Sequence, residues 1–366
     1  MKKIFIVAGE LSGDQTAAWY LKKRSKIEKL EVHAVGGDNL YKAGANIYDS
    51  YKKLNIVGVV EVLSKLKFIF GYLKKLTDYI TQNNFDEVVL VDFPGFNLIL
   101  AKRLKQKNNK IKIIYLAPPQ LWAWGAWRVK KLKKYCDNLV VLYPFEVAWY
   151  KKHGLNVEYL GTPLCDKLHD YIDLDLPVKK QITVLPGSRK QEIKKLLPLL
   201  ASVIKRIKFL DSSIKIILPL AESLDKKFVE DELRKNGLLN NFGDNIKIIT
   251  DEQEKIKELK QSFMAITKPG TVTLELALLN VPAIIFYKTS WITYFLAKLV
   301  VNIKVMGLPN LFLNKIIYKE FIQGNCTVDN IFKEIKNIYD GYLQNSGYYL
   351  NIKKNLKEVR DNLIKQ

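Results

Sequence analysis

Cysteine and histidine are scarce. The 366 residues hold three cysteines, Cys136, Cys165 and Cys326, and three histidines, His33, His153 and His169. The wide spacing of the cysteines excludes a disulfide scaffold and a Cys-type zinc site, and it suits a reducing cytosol. So few histidines argue against a multi-histidine metal centre. No uncharged apolar stretch is long enough to span a membrane, so an integral membrane protein is not expected. The start, Met1-Lys2-Lys3 and then Ile4 to Ala8, mimics a signal peptide, but its apolar run stops at Gly9-Glu10. That is too short for a signal core, and a first buried strand fits it better. There is neither a P-loop nor a complete Gly-x-Gly-x-x-Gly fingerprint.

Arginine is also scarce. Seven of the 59 basic residues are arginine, against 37 acids and a formal charge of +22. Base-reading nucleic-acid recognition leans on arginine, so no nucleic-acid partner is expected. The lysine excess has two readings: an anionic partner such as a membrane surface, or a compositional habit of a chain rich in Lys, Ile and Asn. Hydrophobic residues make up 48% of the chain, which excludes broad disorder, and the length suits two domains.

Short apolar runs alternate with amphipathic helical patterns. Strands are expected at Lys3–Val7, Glu31–Val35, Glu87–Val91, Lys112–Leu116, Asn138–Leu142 and Val157–Leu160. A second series is expected at Ile182–Leu185, Lys215–Pro219, Lys247–Thr250, Met264–Thr267 and Ala283–Tyr287. Helical patterns such as Gln15–Ile27 and Leu98–Lys107 lie between them. This rhythm predicts an α/β fold of two doubly wound parallel sheets facing across a cleft. Thr162–Lys180, with Pro163, Pro177 and the acidic run Asp170–Asp175, reads as an interdomain linker. The tail from Val328 is helical with a break near Asn345–Gly347, and it packs back across the domains or onto a partner chain as a homodimer.

Chemistry-bearing residues gather at predicted strand ends. Ala8-Gly9-Glu10-Leu11-Ser12-Gly13-Asp14 follows the first strand. Its acids make a poor phosphate cradle and suit sugar hydroxyls or amides; alternatively Ser12 or Asp14 caps a helix. Asp92 ends a buried strand, where an acid is costly without work or partners; it is the leading candidate for a general base, with helix capping as the alternative. Trp122, Trp124 and Trp127 crowd one loop before Lys130, Lys131, Lys133 and Lys134. In Leu63–Leu76, the residues Phe68, Ile69, Phe70 and Tyr72 are bracketed by lysines. Both clusters suit an interface with anionic lipid, and the second also suits a core helix with a solvated lysine face.

In the second half, Ser188-Arg189 follows the strand Ile182–Leu185, and Arg189 can pair bidentately with a diphosphate. Lys268-Pro269-Gly270-Thr271 follows Met264–Thr267 and opens a helix whose start would face phosphate, with Glu275 one turn on to reach ribose. Two ordinary turns are the alternative. Asp173-Leu174-Asp175 has a metal-holding pattern but follows no strand, so no metal is expected there.

Together these motifs resemble the lipid A disaccharide synthase family, glycosyltransferases of the two-domain GT-B architecture. The resemblance runs from about Ile4 to Cys326. Besides the stretches above it rests on Gly58-Val59-Val60-Glu61-Val62-Leu63, Pro119-Gln120-Leu121-Trp122-Ala123-Trp124, Pro144-Phe145-Glu146, Leu308-Pro309-Asn310-Leu311 and Gln323. It implies an inverting transfer from UDP-2,3-diacylglucosamine to 2,3-diacylglucosamine 1-phosphate, giving a β-1,6 disaccharide and UDP without metal or cofactor. It further implies an acceptor and membrane domain at 1–165, a donor domain at 180–340 and a tail at 341–366, on the cytoplasmic face of the inner membrane. Asp92 would be the base and Glu10, Ser12 and Asp14 would orient the acceptor. Ser188, Arg189, Gly270, Thr271, Glu275, Asn310 and Gln323 would hold the donor. Three positions depart from the family pattern: Gly95 replaces a second acid, Thr162 a histidine and Pro269 a serine. Other UDP-GlcNAc-type transferases, UDP-GlcNAc 2-epimerases and a non-catalytic UDP- or membrane-binding protein are the competing readings.

Overall fold

The computed structural model describes residues 1–54, 66–291, 294–295, 298 and 305–364. The Gly58–Leu63 motif and the first three residues of the Leu63–Leu76 cluster lie outside them. The chain divides into two compact units, Met1–Pro163 and Leu164–Gln366.

The first unit is built on strands β1 (Lys2–Ala8), β2 (Leu30–Gly36), β3 (Asn46–Ser50), β4 (Glu87–Val91), β5 (Lys112–Leu116), β6 (Asn138–Val141) and β7 (Val157–Tyr159). They form one sheet in the order β3-β2-β1-β4-β5-β6-β7. Every pairing is parallel, with Ile4 opposite Val32 on one side and Glu87 on the other. Helices α1 (Leu11–Ser25), α2 (Asp38–Lys42), α3 (Leu66–Gln82), α4 (Pro94–Lys107), α5 (Val129–Tyr135) and α6 (Pro144–Lys152) connect the strands. Strand alternation sends Phe5 and Val7 into one core with Leu73, Leu76 and Leu100. Ile4, Ile6 and Ala8 enter another with Ala17, Tyr20 and Leu21. Burial on both faces is why these strands read as unbroken apolar runs.

The second unit has strands β8 (Lys179–Leu185), β9 (Lys215–Pro219), β10 (Ile246–Ile249), β11 (Ser262–Thr267), β12 (Ala283–Tyr287) and β13 (Glu320–Ile322), ordered β10-β9-β8-β11-β12-β13. All of these pairs are parallel too. Around them lie α7 (Pro163–Ile172), α8 (Lys190–Leu210), α9 (Lys226–Lys235), α10 (Leu238–Phe242), α11 (Glu252–Gln261), α12 (Val272–Leu278), α13 (Leu308–Leu313), α14 (Val328–Gln344) and α15 (Gly347–Ile364).

All eleven expected strands form, within a few residues. β3 and β13 were not expected: both are sheet edges, half-exposed and partly polar, so neither carries an apolar run. The division between units, after Pro163, falls inside the stretch Thr162–Lys180 expected as a linker, and residues 163–172 of that stretch form helix α7. The expected break in the tail occurs at Asn345, a left-handed cap with φ 48°. α15 packs within the second unit: Tyr349 Oη donates to the Phe263 carbonyl at 3.1 Å and Lys315 Nζ to Asn355 Oδ1 at 2.6 Å.

Candidate functional site

In an open parallel sheet the order reverses where two neighbouring strands send their connections in opposite directions, and ligands gather at the carboxyl ends there. In the first unit that point lies between β1 and β4. The loops that leave it carry Gly9-Glu10 and Asp92-Phe93. They pack together closely: a Cβ on Gly9 would sit 2.5 Å from the Phe93 ring.

Asp92 and Phe93 both adopt left-handed backbone, at φ 46° and 47°. Neither is a glycine, and such residues cost on the order of 1–3 kcal/mol each unless their surroundings hold them. Here they are held. Asp92 N–H donates to the Leu116 carbonyl at 3.1 Å, and its carbonyl accepts from Asn97 Nδ2 at 2.8 Å and Tyr115 Oη at 2.7 Å. The Asp92 carboxyl stays half-buried. Burial, reinforced by the Glu10 carboxylate, raises its pKa, and the Phe93 N–H opposes the shift. The α4 N-cap is Phe93, with no side-chain cap bond, so Asp92 is not spent as the cap.

Glu10 and Ser12 are exposed, and Ser12 Oγ donates to Glu10 Oε1 at 2.5 Å. Asp14 differs from expectation. It is fully buried, and its carboxylate accepts from Gly37 N at 2.6 Å, Asn39 N at 3.0 Å and Asn39 Nδ2 at 2.9 Å. Those bonds tie the start of α2 to α1, so Asp14 shapes the site's floor and offers no surface to an acceptor.

The tryptophan loop hangs from Glu146. Trp122 Nε1 donates to Glu146 Oε1 at 2.9 Å, and Tyr143 N to Oε2 at 3.2 Å. Burial pushes this carboxyl up to about 7 against an ordinary 4.5, despite those donors. Trp124 and Trp127 are exposed, and the Arg128 guanidinium lies 3.9 Å from the Trp124 ring centre. On α3, Phe68 and Phe70 are exposed and Ile69 is half-buried against the core. Tyr72 is a correction: it is buried, and its hydroxyl donates to Asp49 Oδ2 at 3.1 Å.

In the second unit the reversal lies between β8 and β11. A cavity of about 330 Å³ opens there, lined by Gly187, Ser188, Lys255, Lys268, Gly270 and Glu275 among others. Thr271 lines it too, and Arg189, the α8 N-cap, is exposed beside Ser188. Gly270 takes φ 147°, a conformation suited to glycine, with open space where a side chain would be. α12 is only seven residues long, so the groups this cavity could offer an anion are chiefly loop amides and side-chain cations. Glu275 is nearly buried, with Oε1 3.4 Å from Lys255 Nζ and 3.9 Å from Lys167 Nζ. Burial alone would lower the Lys255 pKa, but the Glu275 and Glu252 carboxylates raise it overall. Lys255 and the Pro219–Ala221 turn after β9 were not singled out from sequence, and Lys268 was named there only as part of its turn, with no role of its own. Lysine is everywhere in this chain, and only the fold distinguishes these two.

Asn310 and Gln323 are corrections. Asn310 is fully buried; Nδ2 donates to the Tyr318 carbonyl and to Glu320 Oε1, both at 2.8 Å, while Oδ1 accepts from Ile317 N at 2.8 Å and Tyr318 N at 2.9 Å. Gln323 is bonded both ways to the Thr289 backbone. Both brace the loops around β13: the Asn310 amide has all its donors and acceptors engaged, and Gln323 is buried on the Thr289 backbone. Asp173 pairs with Arg360 at 3.7 Å, and among the described residues no group of three or more His, Cys, Asp or Glu is placed to hold a metal ion.

Comparison with solved structures gives the fold. A UDP-GlcNAc 2-epimerase from Neisseria meningitidis bound to UDP-GlcNAc matches with TM-score 0.61 at 12% identity, over 100% of each chain. A glycosyltransferase from Rickettsia africae matches with TM-score 0.56 at 16% identity, over 100% of this chain and 93% of that one. Sequence relatives lie nearer. A lipid-A-disaccharide synthase of Coxiella burnetii is 33% identical over 99% of this chain and 94% of its own length. One of Geobacter sulfurreducens is 31% identical over 99% of this chain and 93% of its own. The profile of the lipid-A-disaccharide synthetase family matches residues 4–362, and the chain belongs to that family.

Proposed function

We propose that the protein is a lipid A glycosyltransferase that joins UDP-2,3-diacylglucosamine to 2,3-diacylglucosamine 1-phosphate, with inversion and without a metal. The first unit takes the acceptor and the second takes the donor. Family membership supports a glycosyltransferase of lipid A biosynthesis. The observation that carries the chemistry is Asp92: a half-buried carboxyl of raised pKa, on braced left-handed backbone, where β1 and β4 part.

In this reading the acceptor 6-hydroxyl attacks the anomeric carbon of the donor. Its proton passes to Asp92 as the new C–O bond forms, and the bond to the UDP oxygen breaks. The leaving diphosphate carries its charge into the second unit, where Arg189, Ser188 and the Gly270-Thr271 amides stabilise it. Glu275, held by Lys255, meets the ribose from the cavity wall. Exposed Glu10 and Ser12 orient the acceptor sugar. Phe68, Phe70, Trp124 and Trp127, set among lysines, touch an anionic membrane surface that presents the acylated substrates. The likeness to 2-epimerases is one of fold at 12% identity and carries no argument for their reaction.

The test is UDP release by purified protein in detergent, with both lipid substrates together and with each alone. Release that requires both, unaffected by a chelator, is the expected result. Release from the donor alone at the same rate would point to hydrolysis or epimerase-like chemistry and remove the transferase reading.

A further inference from the structure

One carboxylate joins the two loops that border the second unit's cavity. Glu192 stands in the first turn of α8. It accepts from Lys268 Nζ at 2.7 Å through Oε1 and at 2.8 Å through Oε2, and from Ser188 N at 3.0 Å through Oε2. Gly187 makes room for it: a Cβ there would lie 2.4 Å from Glu192 Oε2, and the backbone takes φ 139°. Lys268 lines the cavity beside Ser188, Gly270 and Thr271, whereas Glu192 does not.

An ammonium group carries three N–H donors. Two of those on Lys268 are engaged by Glu192, and the third has no partner among the described residues. We infer that Lys268 is a phosphate-contacting cation of this cavity and that Glu192 is the positioning residue that aims it. The inference rests on the reading that the second unit binds the diphosphate of UDP. A free lysine side chain loses rotamer freedom when a ligand fixes it, and one already fixed by two bonds loses less. Glu192 thus pre-orders the ammonium and also keeps the pair near electrical balance while the site is empty. A neutral residue in place of Lys268 would therefore do double harm, since it removes a cation and leaves an unpaired carboxylate beside the phosphates.

The experiment is calorimetric titration of the full-length protein with UDP, uridine and inorganic pyrophosphate at one fixed ionic strength, with a thermal melt of every variant. Lys268→Met keeps the aliphatic stem. It is expected to weaken UDP by roughly tenfold or more, and uridine by less than about twofold. Glu192→Asp keeps the charge but shortens its reach, and should also weaken UDP and not uridine. The double variant K268M/E192Q should bind UDP more tightly than K268M, because the stranded carboxylate is gone. Unchanged UDP affinity in K268M, or equal loss for UDP and uridine, overturns the role of Lys268. A double variant no better than K268M overturns that of Glu192. Wild-type protein that binds pyrophosphate through Lys268 but not UDP would keep the cation and sink the UDP reading. Wild-type protein that binds neither sinks both.

Discussion

Asn97 holds Asp92 by its carbonyl rather than by its carboxyl. Asn97 Nδ2 donates to the Asp92 carbonyl at 2.8 Å and to the Val91 carbonyl at 3.1 Å, from a fully buried position one turn into α4. The carboxyl takes no part in these two bonds, while the backbone beneath it is fixed in a left-handed conformation. Tyr115 Oη adds a third brace. Asn97→Ala should therefore cost about 1–3 kcal/mol of stability, the usual penalty for a broken buried bond. Tyr115→Phe, a milder change, should lower kcat with KM little altered, since it loosens the base and leaves acceptor contacts in place. Denaturant melts together with steady-state kinetics check both.

Asp92→Asn should lower turnover by about two to four orders of magnitude with the melt unchanged. On the proposal that Asp92 is the base, it works deprotonated, so the rate should rise with pH through its pKa. That pKa lies above the ordinary aspartate value because of burial and the neighbouring Glu10. Glu10→Gln removes the like charge and should move the acid limb of the kcat/KM profile to lower pH. A limb that stays in place would show that Glu10 does not act on Asp92 electrostatically.

Asp14→Ala should act on stability. It strands the Gly37 and Asn39 amides that now donate to a buried carboxylate, for a loss of about 2–3 kcal/mol. A variant that melts like wild type but has a raised acceptor KM would restore a direct substrate role to this residue.

Glu146 makes stability depend on pH in a defined window. Its carboxyl titrates near 7 when folded and near 4.5 when not, so the folded state binds more protons between those values. Its contribution is full below about 4.5 and is lost as pH rises through about 7. Glu146→Gln should flatten this decline in denaturation midpoints measured across that range. An unchanged slope would place the titrating group elsewhere.

Neighbours on α3 should part company. Phe68→Ser with Phe70→Ser removes exposed rings and should weaken binding to vesicles of anionic phospholipid several-fold, with stability changed by less than about 0.5 kcal/mol. Tyr72→Ala, in the core, should cost about 3–5 kcal/mol. Vesicle co-sedimentation and melts separate the two effects.

What the sequence determined by itself was the architecture and the neighbourhood of the candidate site. Strands buried on both faces must be continuous apolar runs, so β1, β4, β8 and β11 could be read directly. In a parallel sheet the residues after such strands all emerge at one end, so Glu10, Asp92, Ser188 and Gly270 could be named before any coordinates. The edge strands β3 and β13 could not, because half-exposed strands carry no such run.

Tertiary structure alone decided which polar residues are spent on the fold and which are left for a ligand. Asp14, Asn310 and Gln323 look like ligand contacts in sequence but have their hydrogen bonds made by distant backbone. Lys268 is one lysine among many until Glu192 fixes it beside Ser188. Hydrogen bonding is satisfied in space and not along the chain, so no local pattern records whether a side chain's donors and acceptors are already engaged.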